Sequence, residues 1–184
     1  ALIKGSIGDR RITDKELRSL MEGMPMMKNW RNLIGGLLSS GAKVAIISGG
    51  LQQTARDIAA QFPSDKPWSR RWGGIDRFTA QRFGSGNDSQ LSVFTNGWLR
   101  GDVTQSGEYE LADFGRYQVQ MNGKGAIVKM LQRRYNIPKS KTASVGDSAG
   151  DIGMFEESEL AICFNPWDER PLEFCNKVVV EKDL

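Results

Sequence analysis

The chain has 184 residues, 39% of them hydrophobic and 26% charged, which suits one compact domain, or one with a small appendage, that buries its core without disulfides or metal staples. Its formal charge of +3 makes no case for nucleic acid, and a small anionic ligand is equally compatible with it. No histidine is present, which excludes Ser-His-Asp triads, Cys-His dyads and the common zinc sites, so acid–base chemistry must rest on carboxylates, Lys, Tyr or a bound metal ion.

In chain order, "ITDKELRSLMEGMP" sets Thr13 and Glu16 at capping-box spacing ahead of Leu17, Leu20 and Met21, and predicts a short amphipathic helix ending near Gly23 and Pro25. A second helix follows from Trp30, Leu33, Ile34, Leu37 and Leu38, with Gly41 where a C-cap belongs. "KVAIISGG" is an uninterrupted apolar run breaking at two glycines, the pattern of a parallel strand buried on both faces, and "LQQTARDIAAQF" supplies the next helix. From Pro63 to about Gly86 no periodicity is visible, which implies an irregular surface excursion. Asn96-Gly97 in "LSVFTNGWLRGDV" predicts the turn of a β-hairpin. Ile127, Met130, Leu131 and Tyr135 space a further helix that stops before Pro138, and "TASVGD", "LAICFNP" and "KVVVEKDL" read as three short strands, with the helix "AGDIGMFEE" between the first two.

Such alternation predicts an α/β fold with a mainly parallel sheet and helices on both faces, whose site gathers at the carboxyl ends of the strands. Those ends carry Ser48, Gly49 and Gly50, then Asp147, then Asn165. Asp147 and Asp151 bracket a helix start, where two carboxylates can share a Mg²⁺ ion or merely cap the helix. The hydroxyl of Ser48 and the amides that follow it suit phosphate oxygens, or form a plain strand-ending turn. Lys124 stands at a helix start, where a cation opposes the helix dipole; it is either a phosphate clamp or a solvated lysine. The string around it is no P-loop, since Gln118 replaces the earlier glycine and Ala126 lies beyond the lysine where Ser or Thr is absent. Asn165, before Pro166, could line the pocket but reads first as a turn residue.

Together "VAIISGG", "NGKGAIV" and "SVGDSAGDIGMF" resemble motifs two, three and four of the haloacid dehalogenase superfamily, most closely its phosphoserine phosphatase branch. The likeness extends to "TNGWLRGDV" and "KVVVEKDL", and covers most of the chain from about Lys28. It implies a Rossmann-like core over residues 26–184, with an irregular insertion at 63–90, and the end of a helical cap over residues 1–25. It also implies hydrolysis of a small phosphorylated metabolite, phosphoserine among the candidates, through an aspartyl-phosphate. Catalytic roles would fall to Ser48, Lys124 and Asp151, substrate contacts to Ser48, Gly49, Gly50 and Lys124, and Mg²⁺ to Asp147 and Asp151.

Three departures qualify this expectation. The nucleophile-bearing D-x-D-x-[TV] string of motif one does not occur; Asp9 in "GSIGDRRIT" has no second acid two residues away and is a poor substitute. In the family that strand lies between those of motifs two and four, so the sequence reads as part of a longer product, or as one whose missing strand comes from another chain. Gly150 stands where the branch has a substrate-contacting Asn, and much of the cap is missing. The rival function is a non-catalytic phosphate- or metal-binding regulatory relative. A third, single-strand nucleic-acid binding, rests on Trp68, Arg70, Arg71 and Trp72, which read more simply as a solvated loop. Cys163 and Cys175 lack CxxC spacing and no apolar run is long enough to cross a bilayer, so a cytoplasmic protein with reduced thiols and no membrane partner is expected.

Overall fold

The computed structural model describes residues 6–7, 10–22, 26–62, 90–116, 119–120 and 122–181. Asp9 and the excursion from Pro63 onward, with Trp68, Arg70, Arg71 and Trp72, lie outside the described residues. The chain divides into two compact units, Ala1–Met26 with Trp30–Gln118, and Met27–Asn29 with Val119–Leu184.

In the first unit, β1 (Ser6–Ile7) and β2 (Arg10–Arg11) pair antiparallel ahead of α1 (Asp14–Glu22). The capping box forms as its spacing predicts: the Thr13 amide donates to Glu16 Oε2 at 3.0 Å, and the Glu16 amide to Thr13 Oγ1 at 3.2 Å. α2 (Trp30–Ser39) ends at Gly41, whose φ of 84° is left-handed and whose amide bonds the Leu38 carbonyl at 3.0 Å. Trp30 meets Phe62 edge to face with centroids 6.1 Å apart, which fastens α2 to the turn that follows α3 (Gln52–Ala59).

The sheet of this unit has the order β3-β4-β5, with β3 at Val44–Leu51, β4 at Leu91–Val103 and β5 at Tyr109–Arg116. β4 runs parallel to β3 from Leu91 to Asn96 and antiparallel to β5 from Gly97 to Val103. The hairpin is therefore present, but its turn is not Asn96-Gly97. The chain reverses at Thr104–Glu108, where the Thr104 amide donates to the Glu108 carbonyl at 2.7 Å and Gly107 takes a φ of 81°. Asn96 is buried instead, its Nδ2 donating to the Gly49 carbonyl at 3.1 Å, so it ties β4 to the end of β3. A side chain so engaged in the sheet cannot also serve as an exposed turn residue.

In the second unit, α4 (Lys124–Tyr135) closes on Asn136 at a φ of 53°. β6 (Ala143–Gly146), β7 (Leu160–Phe164) and β8 (Lys177–Val179) form a parallel sheet in that order. Between β6 and β7 lie a 3₁₀ turn (Ala149–Asp151) and α5 (Ile152–Glu156). Phe155, Ala161 and Cys163 make a buried cluster against which Cys175 packs; a fully buried Phe contributes about 1.5–3 kcal/mol.

The strand-helix alternation and mainly parallel pairing are those expected. Full burial of the strands is not. Among the described residues β3 and β6 are each paired on one side only, Val44 to Ser48 are half-buried, and Val145 is 50% exposed. Each of these two strands thus stands at the edge of its own sheet.

Candidate active site

Three of the residues singled out in the sequence meet in the second unit. β6 ends at Gly146, and Ser148 caps the 3₁₀ turn in a capping box that Asp151 completes. The amides of Asp147 and Ser148 donate to Asp151 Oδ2 at 3.0 and 3.1 Å, and Ser148 Oγ donates to the same oxygen at 3.1 Å. Asp151 Oδ1 takes the Lys124 ammonium at 2.6 Å. Both oxygens of this 2%-exposed carboxylate are thus engaged. Asp151 organises the turn that presents Asp147 to solvent, and Ser148, not Asp147, is the N-cap.

Two close backbone approaches make this geometry possible. A Cβ on Gly146 would lie 2.5 Å from Cβ and Cγ of Asp151, so only glycine admits the buried acid there. A Cβ on Gly125 would lie 2.4 Å from the Gly153 carbonyl oxygen, so two glycines let α4 and α5 approach closely enough for Lys124 at the start of α4 to reach Asp151. This pairing resolves the misfit of a cation at a helix N-terminus.

The two acids titrate in opposite directions. Asp147 is raised above its ordinary 3.8, first by desolvation and then by the charge of Asp151. Burial also works to raise Asp151, but the Lys124 hydrogen bond and charge, with the amides of Asp147 and Ser148, outweigh it and hold the carboxyl below 3.8. Asp147 therefore stands where added negative charge is disfavoured and a cation would be welcome. Among the described residues no three His, Cys, Asp or Glu side chains group as a metal cage. Outward-facing Asp147 nevertheless fits the donor set of Mg²⁺, which takes one or two carboxylates and completes its shell with waters and phosphate oxygens, while Asp151, with both oxygens engaged, backs it.

One residue missed in the sequence fastens the loop after β7 to this turn. The Trp167 amide donates to the Asp147 carbonyl at 2.7 Å. Asp168, in the same loop, takes the Arg170 guanidinium in a fork, both contacts at 3.0 Å, and that pairing above all holds its carboxyl below the ordinary range. No sequence spacing announces a contact between loops so far apart. Asn165 adopts a left-handed φ of 48° and clamps the Glu181 backbone through both ends of its amide, at 2.8 and 3.1 Å, as a turn residue does.

Ser48, Gly49 and Gly50 belong to the first unit. There Ser48 Oγ accepts from the Gly50 amide at 3.0 Å, and the strand register shifts between Ser48 and Leu51. With its oxygen so occupied, the hydroxyl keeps its proton for an outside acceptor.

Comparison with known proteins follows from this geometry. Residues 105–183, which hold "NGKGAIV" and "SVGDSAGDIGMF" but not "VAIISGG", match the haloacid dehalogenase-like hydrolase family. Two curated phosphatases are similar to most of the chain. The chain is 29% identical over 154 residues to a phosphoserine phosphatase of Idiomarina loihiensis, covering 84% of this chain and 56% of that protein. It is 29% identical over 141 residues to a phosphoglycolate phosphatase of Metallosphaera sedula, covering 73% and 60%. A phosphoserine phosphatase crystal structure in the apo form has the same fold, with a TM-score of 0.64 at 19% identity over 94% of this chain and 70% of that one. The chain spans just over half the length of the curated relatives it matches. Among the described residues no helix is long and apolar enough to cross a membrane.

Proposed function

We propose that the protein is a Mg²⁺-dependent phosphomonoester hydrolase of the haloacid dehalogenase type, acting on a small phosphorylated metabolite in the cytoplasm, with phosphoserine a candidate. The observation that carries this is the Lys124–Asp151 pair at 2.6 Å, which fixes an ammonium and an outward-facing Asp147 on one organised turn. Of the three donors on that ammonium, Asp151 takes one and two remain for phosphoryl oxygens. Ser48, through its hydroxyl, and the backbone of Gly49 and Gly50 are proposed as further phosphate contacts. Asp147, backed by Asp151, holds the metal, which when bound neutralises charge on the transferring group. A carboxylate attacks phosphorus, and a second acid protonates the departing oxygen and then activates water. Both would come from a D-x-D-x-[TV] strand, a string these 184 residues do not contain. Residues 1–25 are the end of the cap.

The absence of that string from the sequence also favours a second reading, a non-catalytic phosphate- or metal-binding relative. Phosphate release from phosphoserine and phosphoglycolate separates the two, measured on protein isolated from its source and peptide-mapped for D-x-D-x-[TV]. Activity that is lost in Asp147→Asn supports the enzyme; equal background rates in both proteins support the binding relative.

A further inference from the structure

The second unit holds two thiols that the phosphatase reading does not use. Cys163 lies on β7, is 0% exposed, and belongs to the buried cluster with Phe155 and Ala161. Cys175 follows the 3₁₀ turn Arg170–Phe174, is only half-buried, and packs against that cluster while its thiol points to the Leu172 carbonyl at 3.5 Å. Both are free of disulfides. We propose that Cys163 and Cys175 are a peroxide-reactive dithiol that closes into an intramolecular disulfide.

The asymmetry between the two assigns their order. Cys175 is half-buried, whereas Cys163 is fully buried. Burial, and then the neighbouring Cys175, push the Cys163 thiol up to about 11, so it stays protonated and does not take the first step. Hydrogen peroxide takes the first step at Cys175, giving a sulfenic acid and one water. Cys163 sulfur then displaces the sulfenic hydroxyl, forming the S–S bond and releasing a second water. Two thiols have lost two hydrogens and one peroxide has become two waters.

The place of the bond gives it consequence. It would close a ring over residues 163–175, which contains the loop fastened to the Asp147 turn through the Trp167 amide. Cys163 is also the strand partner of Gly146, the residue before Asp147. Oxidation would thus act on the backbone that holds the turn, from outside the turn itself.

Intact-mass measurement of the reduced chain after stoichiometric hydrogen peroxide tests this, with alkylation under denaturing conditions. The expected product is a monomer about two mass units lighter, with neither cysteine alkylated and full reversal by a thiol reductant. Cys175→Ser should lose that product and leave Cys163 alkylatable. Oxygen added to Cys175 while Cys163 still alkylates, or a disulfide between two chains, would overturn the proposal; the wild-type measurement decides it even if the variant does not fold.

Discussion

The Lys124 ammonium lies 2.6 Å from Asp151 Oδ1, with the two side chains 14% and 3% exposed, and the turn that carries Asp147 is built on that contact. A pair this far out of water is costly to form and costlier to break from one side. Removing one partner leaves the other charge buried and uncompensated, a loss of about 3–5 kcal/mol, whereas removing both can be nearly neutral. Lys124→Met should therefore cost that much in urea unfolding at neutral pH, and adding Asp151→Asn should recover most of it. A Lys124→Met protein as stable as wild type would mean that Asp151 has another source of compensation.

The Gly125–Gly153 approach supplies a second test, because it is a contact that a single methyl abolishes. Gly125→Ala places Cβ 2.4 Å from backbone that cannot swing away, and should destabilise by about 1–3 kcal/mol while pulling Lys124 off Asp151. Gly36→Ala is the control: it sits inside α2 with nothing within 4 Å of the added carbon, and should stabilise by about 0.5–1 kcal/mol. Thermal unfolding of both variants checks the pair; equal effects would contradict the close approach.

The opposed titrations of Asp147 and Asp151 give stability a maximum in acid when chelator removes metal. Asp151 is lowered below 3.8, so its stabilisation is complete above that value and disappears as the pH falls through its lower folded value. Asp147 is raised, so its ionisation weakens the fold above its folded value and the weakening fades as the pH drops toward 3.8. Stability should rise on mild acidification and then fall. Asp147→Asn should remove the rise and be more stable than wild type at pH 7; a monotonic fall unaffected by that substitution would show that Asp147 is not strained.

Much of the fold was legible because local chemistry and tertiary structure agree. The Thr13–Glu16 capping box, the left-handed Gly41 and the ends of α4 are each set by residues within one turn of the feature they produce. The hairpin turn was misplaced because Asn96 obeys a distant partner, the Gly49 carbonyl, over its local turn preference. The site divides the same way. Lys124, Asp147 and Asp151 were visible as motif residues, and Ser148-x-x-Asp151 carried a capping-box spacing that could have identified the N-cap. Trp167 gave no signal, since its contact to Asp147 exists only once β6 and β7 lie side by side.

The central claim proposed above is that the turn carrying Lys124 and Asp147 binds a phosphoryl group beside one Mg²⁺ ion, with Ser48 a further phosphate contact. Calorimetric titration of inorganic phosphate into the 184-residue chain, with and without Mg²⁺, tests it without requiring turnover. Phosphate should bind more tightly with Mg²⁺ present, Asp147→Asn should erase that dependence, and Ser48→Ala and Lys124→Ala should each weaken binding by roughly tenfold or more, as loss of a hydrogen bond to a charged group does. Phosphate affinity unchanged in Lys124→Ala, or indifferent to Mg²⁺ in the unsubstituted chain, would contradict the account, and affinity unchanged in Ser48→Ala would remove residue 48 from it.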